Sequence, residues 1–341
     1  MKLSDVDYEL PSDLIAQQPV EKRDHSRLMV VKRDSGEIEH ARFCDLPSLV
    51  EPKDLFVLNN SRVFPARLFA TKKGGTARIE VLLLNEIVEG LWDALVRPGR
   101  RARPGTWLIL EPGQVEAEVL ESDSSERRRI RFKSSGNLRD WLERCGNIPL
   151  PPYIKRQGES EKPFDRERYQ TVYAKESNSV AAPTAGLHFT THLINKLHSC
   201  EITLHVGYGT FKPIQEVDVE NHRMDREHYS IGPDAVEKIR ECSNSGNRVI
   251  AVGTTSTRTL EHVARVYGEV VTDSGWTDLF IYPPFDFQAV NGLVTNFHLP
   301  KSTLLLLVSA FGGKELIRSA YELAIRERYR FYSYGDAMLL L

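Results

Sequence analysis

The sequence predicts a mixed, largely parallel-sheet α/β domain into which a small antiparallel β-barrel is inserted. Three observations predict it. Apolar runs of strand length alternate with helical stretches in both flanks of the chain; the texture changes near Asn60 and again near Pro149; between those points short strand-like runs follow one another with Gly and Pro at their ends.

The middle segment supplies runs at Arg62–Ala70, Ala77–Leu84, Trp92–Arg97, Trp107–Glu111, Val115–Glu121 and Arg128–Lys133. Gly74-Gly75, Pro98-Gly99, Pro104-Gly105 and Pro112-Gly113 punctuate them. Closely spaced short strands of this kind fit a barrel. The flanks carry strands at Asp54–Leu58, Glu201–Val206 and Arg248–Gly253. Helical periodicity runs through Thr190–Ser199, Pro233–Ser243 and Lys314–Tyr329. The expected layout is a discontinuous α/β catalytic domain, residues 1–61 and 150–341, around a barrel of residues 62–149.

A chain of 341 residues is long enough for two cores, and 41% apolar with 27% charged residues is ordinary globular usage. The first ten residues carry Asp5, Asp7 and Glu9 and do not read as a secretory signal. The most apolar stretch, Leu304–Phe311, falls far short of the ~20 residues that cross a bilayer. A cytoplasmic protein with no membrane partner is expected. Cys44, Cys145, Cys200 and Cys242 stand apart, without a Cys-x-x-Cys spacing, so buried free thiols are expected and no metal, redox pair or iron–sulfur cluster.

The net charge of -2 gives no global attraction to nucleic acid, so an RNA contact needs a local patch. The barrel segment offers Arg97, Arg100, Arg101 and Arg103, and then Arg127, Arg128, Arg129 and Arg131. Two readings stay open for them: phosphate contacts, or solvated strand edges that prevent aggregation.

Polar motifs gather in the C-terminal half. In Ser179-Val-Ala-Ala-Pro-Thr-Ala-Gly-Leu-His-Phe-Thr190, small residues including Thr184 and Gly186 lead to His188 and a helix start. His205 opens His-Val-Gly-Tyr-Gly-Thr, with Gly207, Gly209 and Thr210, and an apolar strand runs into Gly253-Thr-Thr-Ser-Thr-Arg258. Asn296-Phe-His-Leu-Pro-Lys-Ser-Thr303 holds His298 and Lys301, and Tyr329-Arg-Phe-Tyr-Ser-Tyr-Gly-Asp336 sets Arg330 and Asp336 among aromatics able to stack on a base. In parallel α/β sheets ligands bind beyond the carboxyl ends of strands, so these turns are expected to converge. Each alone is equally an ordinary turn. The acidic-Gly-x-Gly-x-Gly loop of a methyltransferase is missing, and Tyr282-Pro-Pro-Phe285 lacks the Asp or Asn of an amino-methylating motif.

Together with Asp5-Val-Asp-Tyr-Glu-Leu-Pro11, Leu58-Asn-Asn-Ser-Arg-Val63, Pro65-Ala-Arg-Leu68, Val96-Arg-Pro-Gly-Arg100, Ile148-Pro-Leu-Pro-Pro-Tyr153 and Arg168-Tyr-Gln-Thr-Val-Tyr-Ala174, these blocks resemble the S-adenosylmethionine:tRNA ribosyltransferase-isomerase family of queuosine biosynthesis from end to end. Asn60, Asp225, Pro284 and Asn291 depart from that family's usual residues. The resemblance implies a monomer with an inserted barrel and no permanently bound cofactor. S-adenosylmethionine would be a co-substrate, donating its ribosyl part to the aminomethyl group of a modified deazaguanine in the tRNA anticodon. Epoxyqueuosine-tRNA, adenine and methionine would leave. A sulfonium acidifies the neighbouring C–H, departing adenine wants a proton and the attacking amine must be neutral, so at least two acid–base groups are required.

Residue type and resemblance then nominate His188, His205 and His298 as acid–base groups and Asp336 as a holder of an amine or the adenine. Arg258 or Lys301 would take the methionine carboxylate. Thr210, Thr254, Thr255 and Ser256 would orient the sugar, with Thr184, Gly186, Gly207, Gly209, Asn296 and Arg330 as further substrate contacts. Arg97, Arg100, Arg101 and Arg103 would meet tRNA. The alternative from another class is a non-catalytic tRNA-binding module, which accounts for the basic barrel but leaves the C-terminal motifs idle.

Overall fold

Leu55, Phe56, Val57 and Leu58, like Val249, Ile250, Ala251 and Val252, are all buried, so both faces of their strands must be covered. The computed structural model, which describes residues 1–122, 126–156, 163–211, 214 and 216–341, shows how. The chain opens with strands β1 (Arg27–Val31), β2 (Ile38–Arg42), β3 (Leu55–Asn59) and β4 (Ser61–Val63). There follow β5 (Arg67–Lys72), β6 (Arg78–Val88), β7 (Leu91–Arg97), β8 (Trp107–Glu111), β9 (Val115–Ser122) and β10 (Arg127–Ser134). The remainder supplies β11 (Glu176–Ser179), β12 (His198–Leu204), β13 (Glu227–Ile231), β14 (Val249–Val252), β15 (Asp273–Thr277), β16 (Gly292–Asn296) and β17 (Ala337–Leu340). The α-helices are α1 (Leu138–Cys145), α2 (Pro163–Arg168), α3 (Thr191–Ile194), α4 (Pro233–Asn244), α5 (Gly253–Tyr267), α6 (Thr303–Gly312) and α7 (Lys314–Arg326).

Contacts divide the chain into two units. One comprises Met1–Arg62, Pro151–Arg156 and Arg168–Leu341; the other comprises Val63–Leu150 and, among the described residues, 163–167. The first unit holds a nine-stranded mixed sheet in the order β15-β13-β12-β3-β14-β16-β17-β1-β2. Its central run, β12-β3-β14-β16, is parallel, and β1 pairs parallel with β17; the other neighbours are antiparallel. Alternate strand residues feed two cores. Leu55, Val57, Val249 and Ala251 join Ile239, Leu260, Leu306 and Ile317 of the helices on one face. Phe56, Leu58, Ile250 and Val252 join Phe43, Leu46, Phe189 and Leu193 on the other, where 3-10 turns and α3 form the cover.

The second unit is a closed six-stranded antiparallel barrel, β10-β7-β6-β5-β8-β9. Its inward residues, among them Ile79, Val81, Leu83, Ala94, Val96 and Val119, form its core. Trp141 and Leu142 of α1 belong to the same core, and Asn137 caps that helix by accepting from Arg139 and Asp140 N–H.

Two expectations change. The helical stretch at Thr190–Ser199 is only the single turn of α3, capped by Thr190, because His198 and Ser199 already pair with Leu55 and Phe56 in the sheet. Tertiary pairing overrides the local pattern there. Cys200 and Cys242 are buried, but Cys44 and Cys145 are exposed. Among the described residues no helix is long and apolar enough to cross a membrane, and no His, Cys, Asp and Glu side chains are grouped to hold a metal ion.

Candidate active site

Because β12, β3, β14 and β16 run parallel, their carboxyl ends share one edge of the sheet: Leu204, Asn59, Val252 and Asn296. The antiparallel β17 and its parallel neighbour β1 begin on that same edge, at Ala337 opposite Asn296 and Leu28 opposite Ala337. The turns after or before these strands therefore carry His205, Ser61, Gly253, Asp336 and Ser26 along one line. From β12 to β16 is three strand spacings, ~14 Å.

At the β12 end Asn59 is the organiser. Its Oδ1 accepts from Ser61 N–H (3.1 Å) and Leu204 N–H (3.0 Å), and its Nδ2 donates to Leu204 O (2.9 Å) and Thr255 Oγ1 (3.1 Å). Ser61 Oγ in turn lies 2.9 Å from His205 Nδ1. With Nδ1–H donating to Ser61, Nε2 of this half-buried ring carries the lone pair. Burial, with His228 stacked at 6.0 Å, pushes the imidazole down to about 4, so it is neutral at physiological pH. Gly253, with φ +89°, lets β14 turn directly into α5, whose first turn presents Thr254 and Thr255 with no side-chain cap over it.

Arg258, one turn further along α5, is 5% exposed. Its Nη1 pairs with Glu227, its Nε donates to Leu279 O (2.9 Å), and its Nη2 has no partner among the described residues. Glu227 also accepts from Gly207 N–H (2.8 Å), which fastens the Gly-x-Gly turn to the same ion pair. A Cβ on Gly209 would lie 2.5 Å from Asp225 Oδ2, so a larger residue there would have to displace the exposed Asp225 side chain. The side chain of Thr210 lies outside the described residues.

Towards β16 stands His188, at the end of the 3-10 turn Thr184–His188. Its Nδ1 is 2.7 Å from Ser26 Oγ, its Nε2 is 3.2 Å from Asn296 Nδ2, and Phe43 stacks on it at 5.0 Å. Burial chiefly, then the charges of Arg330 and Arg23, push it down to about 3. The turn is held tightly: a Cβ on Gly186 would lie 2.1 Å from Tyr173 Oη and 2.8 Å from Thr171 Cγ2.

Several nominated residues have other work. Asp336 is a loop clamp, its two oxygens accepting from Arg27 N–H (3.0 Å) and Arg330 N–H (2.8 Å), and burial raises its carboxyl. Each oxygen thus carries one backbone donor, and the residue is only 1% exposed. Ser256 is fully buried and donates back to Val252 O (3.1 Å), so it does not face the sugar. His298 has ring Nε2 on Thr295 Oγ1 (2.6 Å), while its backbone N–H donates to Tyr321 Oη (3.0 Å) and its backbone carbonyl accepts from Tyr8; the residue is 7% exposed. Burial pushes it to about 3. Lys301 pairs with Asp7 at 2.6 Å on the surface. Arg330 donates to Gln18 O. Sequence reasoning missed Asn59 and Glu227, which sit in polar stretches, Asn59-Asn60-Ser61-Arg62 and Asp225-Arg226-Glu227-His228, that do not show which residue the fold buries.

In the barrel unit Arg100, Arg101 and Arg103 are exposed around the 3-10 turn Gly99–Arg101, and Arg97 pairs with Glu126 at 3.1 Å. Arg128 differs from its neighbours. It is 5% exposed and straps that turn, donating from Nε to Ala102 O (2.9 Å) and from Nη2 to Gly99 O (3.0 Å).

Fold and site define an open α/β protein whose polar residues gather at the carboxyl ends of parallel strands, where ligands bind in such sheets, in a chain that also carries a small closed barrel. The chain belongs to the queuosine biosynthesis protein family, whose model matches residues 3–340. It is 51% identical over 346 residues to the S-adenosylmethionine:tRNA ribosyltransferase-isomerase of Desulfitobacterium hafniense, with 100% of each chain covered. To the protein of that name from Natranaerobius thermophilus it is 52% identical over 349 residues, covering 100% of this chain and 99% of the other. A crystal structure of the S-adenosylmethionine tRNA ribosyltransferase of Thermotoga maritima is similar with a TM-score of 0.55 and 40% identity, over 99% of this chain and 100% of that one.

Proposed function

We propose that this protein transfers and isomerises the ribosyl moiety of S-adenosylmethionine onto the 7-aminomethyl group of a 7-deazaguanine at the tRNA wobble position, giving epoxyqueuosine-tRNA, adenine and methionine. The observation that carries the reading is the full-length likeness to enzymes of that name, which runs through every strand end of the crevice.

The sulfonium makes its neighbouring C–H acidic, and His205 Nε2, neutral and unencumbered, is the base that takes the proton. Ser61 Oγ is placed to accept from Nδ1–H, the tautomer this requires. Thr254 and Thr255, in the first turn of α5, orient the sugar hydroxyls, and helix N–H groups there favour the charge that develops as the bond to adenine breaks. The unpaired Nη2 of Arg258 meets the carboxylate of the methionine part beside the Gly207–Gly209 turn. The ammonium and carboxylate of the methionine part cancel against the neutral Arg258–Glu227 pair, which leaves the sulfonium as the added charge. Arg97, Arg100, Arg101 and Arg103 contact phosphates of the tRNA.

The test is adenine release. Purified protein should liberate adenine from S-adenosylmethionine only when tRNA carrying the aminomethyl precursor is present. Release that ignores the RNA, or a methylated RNA with intact adenosine product, overturns the reading.

A further inference from the structure

We infer that Asn296 recognises the exocyclic amine of the substrate's adenine through its side-chain carbonyl. The inference rests on S-adenosylmethionine being the ribosyl donor.

Asn296 ends β16 and is 2% exposed. Both hydrogens of its amide are committed: Nδ2 lies 3.2 Å from Tyr332 O and 3.2 Å from His188 Nε2. The reversed amide would set Oδ1 against the Tyr332 carbonyl, two acceptors face to face, so the orientation is chemically fixed. Among the described residues Oδ1 is then a buried acceptor with no donor. Native interiors rarely leave such an atom unmet, and a ligand N–H or O–H is the missing partner.

The surroundings select the donor. Arg23 donates to Leu187 O (3.2 Å), one residue from His188. Asp336 ties Arg330 to Arg27, beside the Ser26 that holds His188. Two guanidinium groups thus border the spot, and their field disfavours an ammonium there. Of the neutral donors of S-adenosylmethionine, the sugar hydroxyls are accounted for one strand away by the first turn of α5. Flat aromatic company favours the base: Phe43 stacks on His188, and the Tyr153 and Tyr332 rings are 4.0 Å apart.

Calorimetry on the whole protein tests this with S-adenosylmethionine and an analogue carrying purine, without the 6-amino group, in place of adenine. Wild type should bind the analogue about tenfold more weakly, and Asn296→Ala should bind the two within twofold. Asn296→Ser, which keeps a small polar side chain but withdraws the acceptor, should behave likewise and stands in if the alanine variant unfolds. Equal binding of both ligands by wild type, or full discrimination surviving in either variant, overturns the inference while leaving the proposed function intact. Failure of wild type to bind S-adenosylmethionine at all overturns both.

Discussion

If His205 is the base, its protonation governs the acid limb of the reaction, and the structure says where that limb falls. An ordinary histidine, near 6.5, is only about one-tenth neutral at pH 5.5 and would cost roughly tenfold in rate there. His205, held down to about 4 by burial and by His228, stays more than nine-tenths neutral at that pH. The sign follows: a lowered pKa keeps the base form through the neutral range, and activity is lost only as pH falls through about 4. The assay is adenine release per turnover with precursor tRNA, followed from pH 7.5 to 4.5 as kcat/KM. It should fall less than twofold by pH 5.5 on account of this group. His205→Ala should lose ~10²–10⁴ in kcat with S-adenosylmethionine binding retained. Ser61→Ala frees the tautomer and should lose less than the histidine variant. An acid limb centred near 6.5 that disappears in His205→Ala would refute the burial argument; an alanine variant within a fewfold of wild type would refute the base.

Buried neutral histidines also leave a mark on stability. His188 is near 3 folded against about 6.5 unfolded, so below 6.5 only the unfolded chain gains a proton there and stability falls with pH. Between pH 7.5 and 5.0 that amounts to about 2 kcal/mol, which urea unfolding should show as a pH-dependent difference between wild type and His188→Gln; equal pH slopes would sink it. Glu227→Leu strands the buried Arg258 cation and should cost about 3 kcal/mol or more in urea unfolding. Adding Arg258→Met should restore most of that stability yet not S-adenosylmethionine affinity, whereas restored affinity would show that the arginine does not touch the ligand. In the barrel unit, Arg128→Ala releases the carbonyls of Gly99 and Ala102 and should weaken tRNA binding severalfold with S-adenosylmethionine binding unchanged by calorimetry. Replacing Arg100, Arg101 or Arg103 singly should lower the salt dependence of tRNA binding by about one counterion each, and an unaltered slope would remove that residue from the interface.

The barrel was legible because its strands are short and bounded by Gly-Gly and Pro-Gly pairs, chemistry that acts within a few residues. The all-apolar strands at Leu55–Leu58 and Val249–Val252 were legible for the opposite reason, their lack of alternation. What escaped detection depends on distance in sequence. Asn59 finds Leu204 and Thr255, and Glu227 finds Arg258, only after the sheet is assembled, and nothing local marks either. Residue type suggested three equivalent histidines. Surroundings make them different: His188 has both ring nitrogens engaged, His298 is buried with Nε2 on Thr295, and His205 is only half-buried with Nδ1 on Ser61. Nor does the sequence show that Asp336 clamps two backbone amides or that Ser256 bonds back along its helix.

The position of β17 has a consequence in time. Residues 337–340 form an interior strand, bonded to β16 on one side and to β1 on the other, so the sheet stays divided until they arrive. During synthesis residues 27–31 wait for a partner more than three hundred positions downstream, a contact of very long range and slow to close. The clamp at Asp336 and the turn that anchors Asn296 through Tyr332 come with that same late segment. A nascent chain short of it holds an unzipped sheet and half a crevice, so an incomplete copy would lack the very contacts from which we infer adenine recognition.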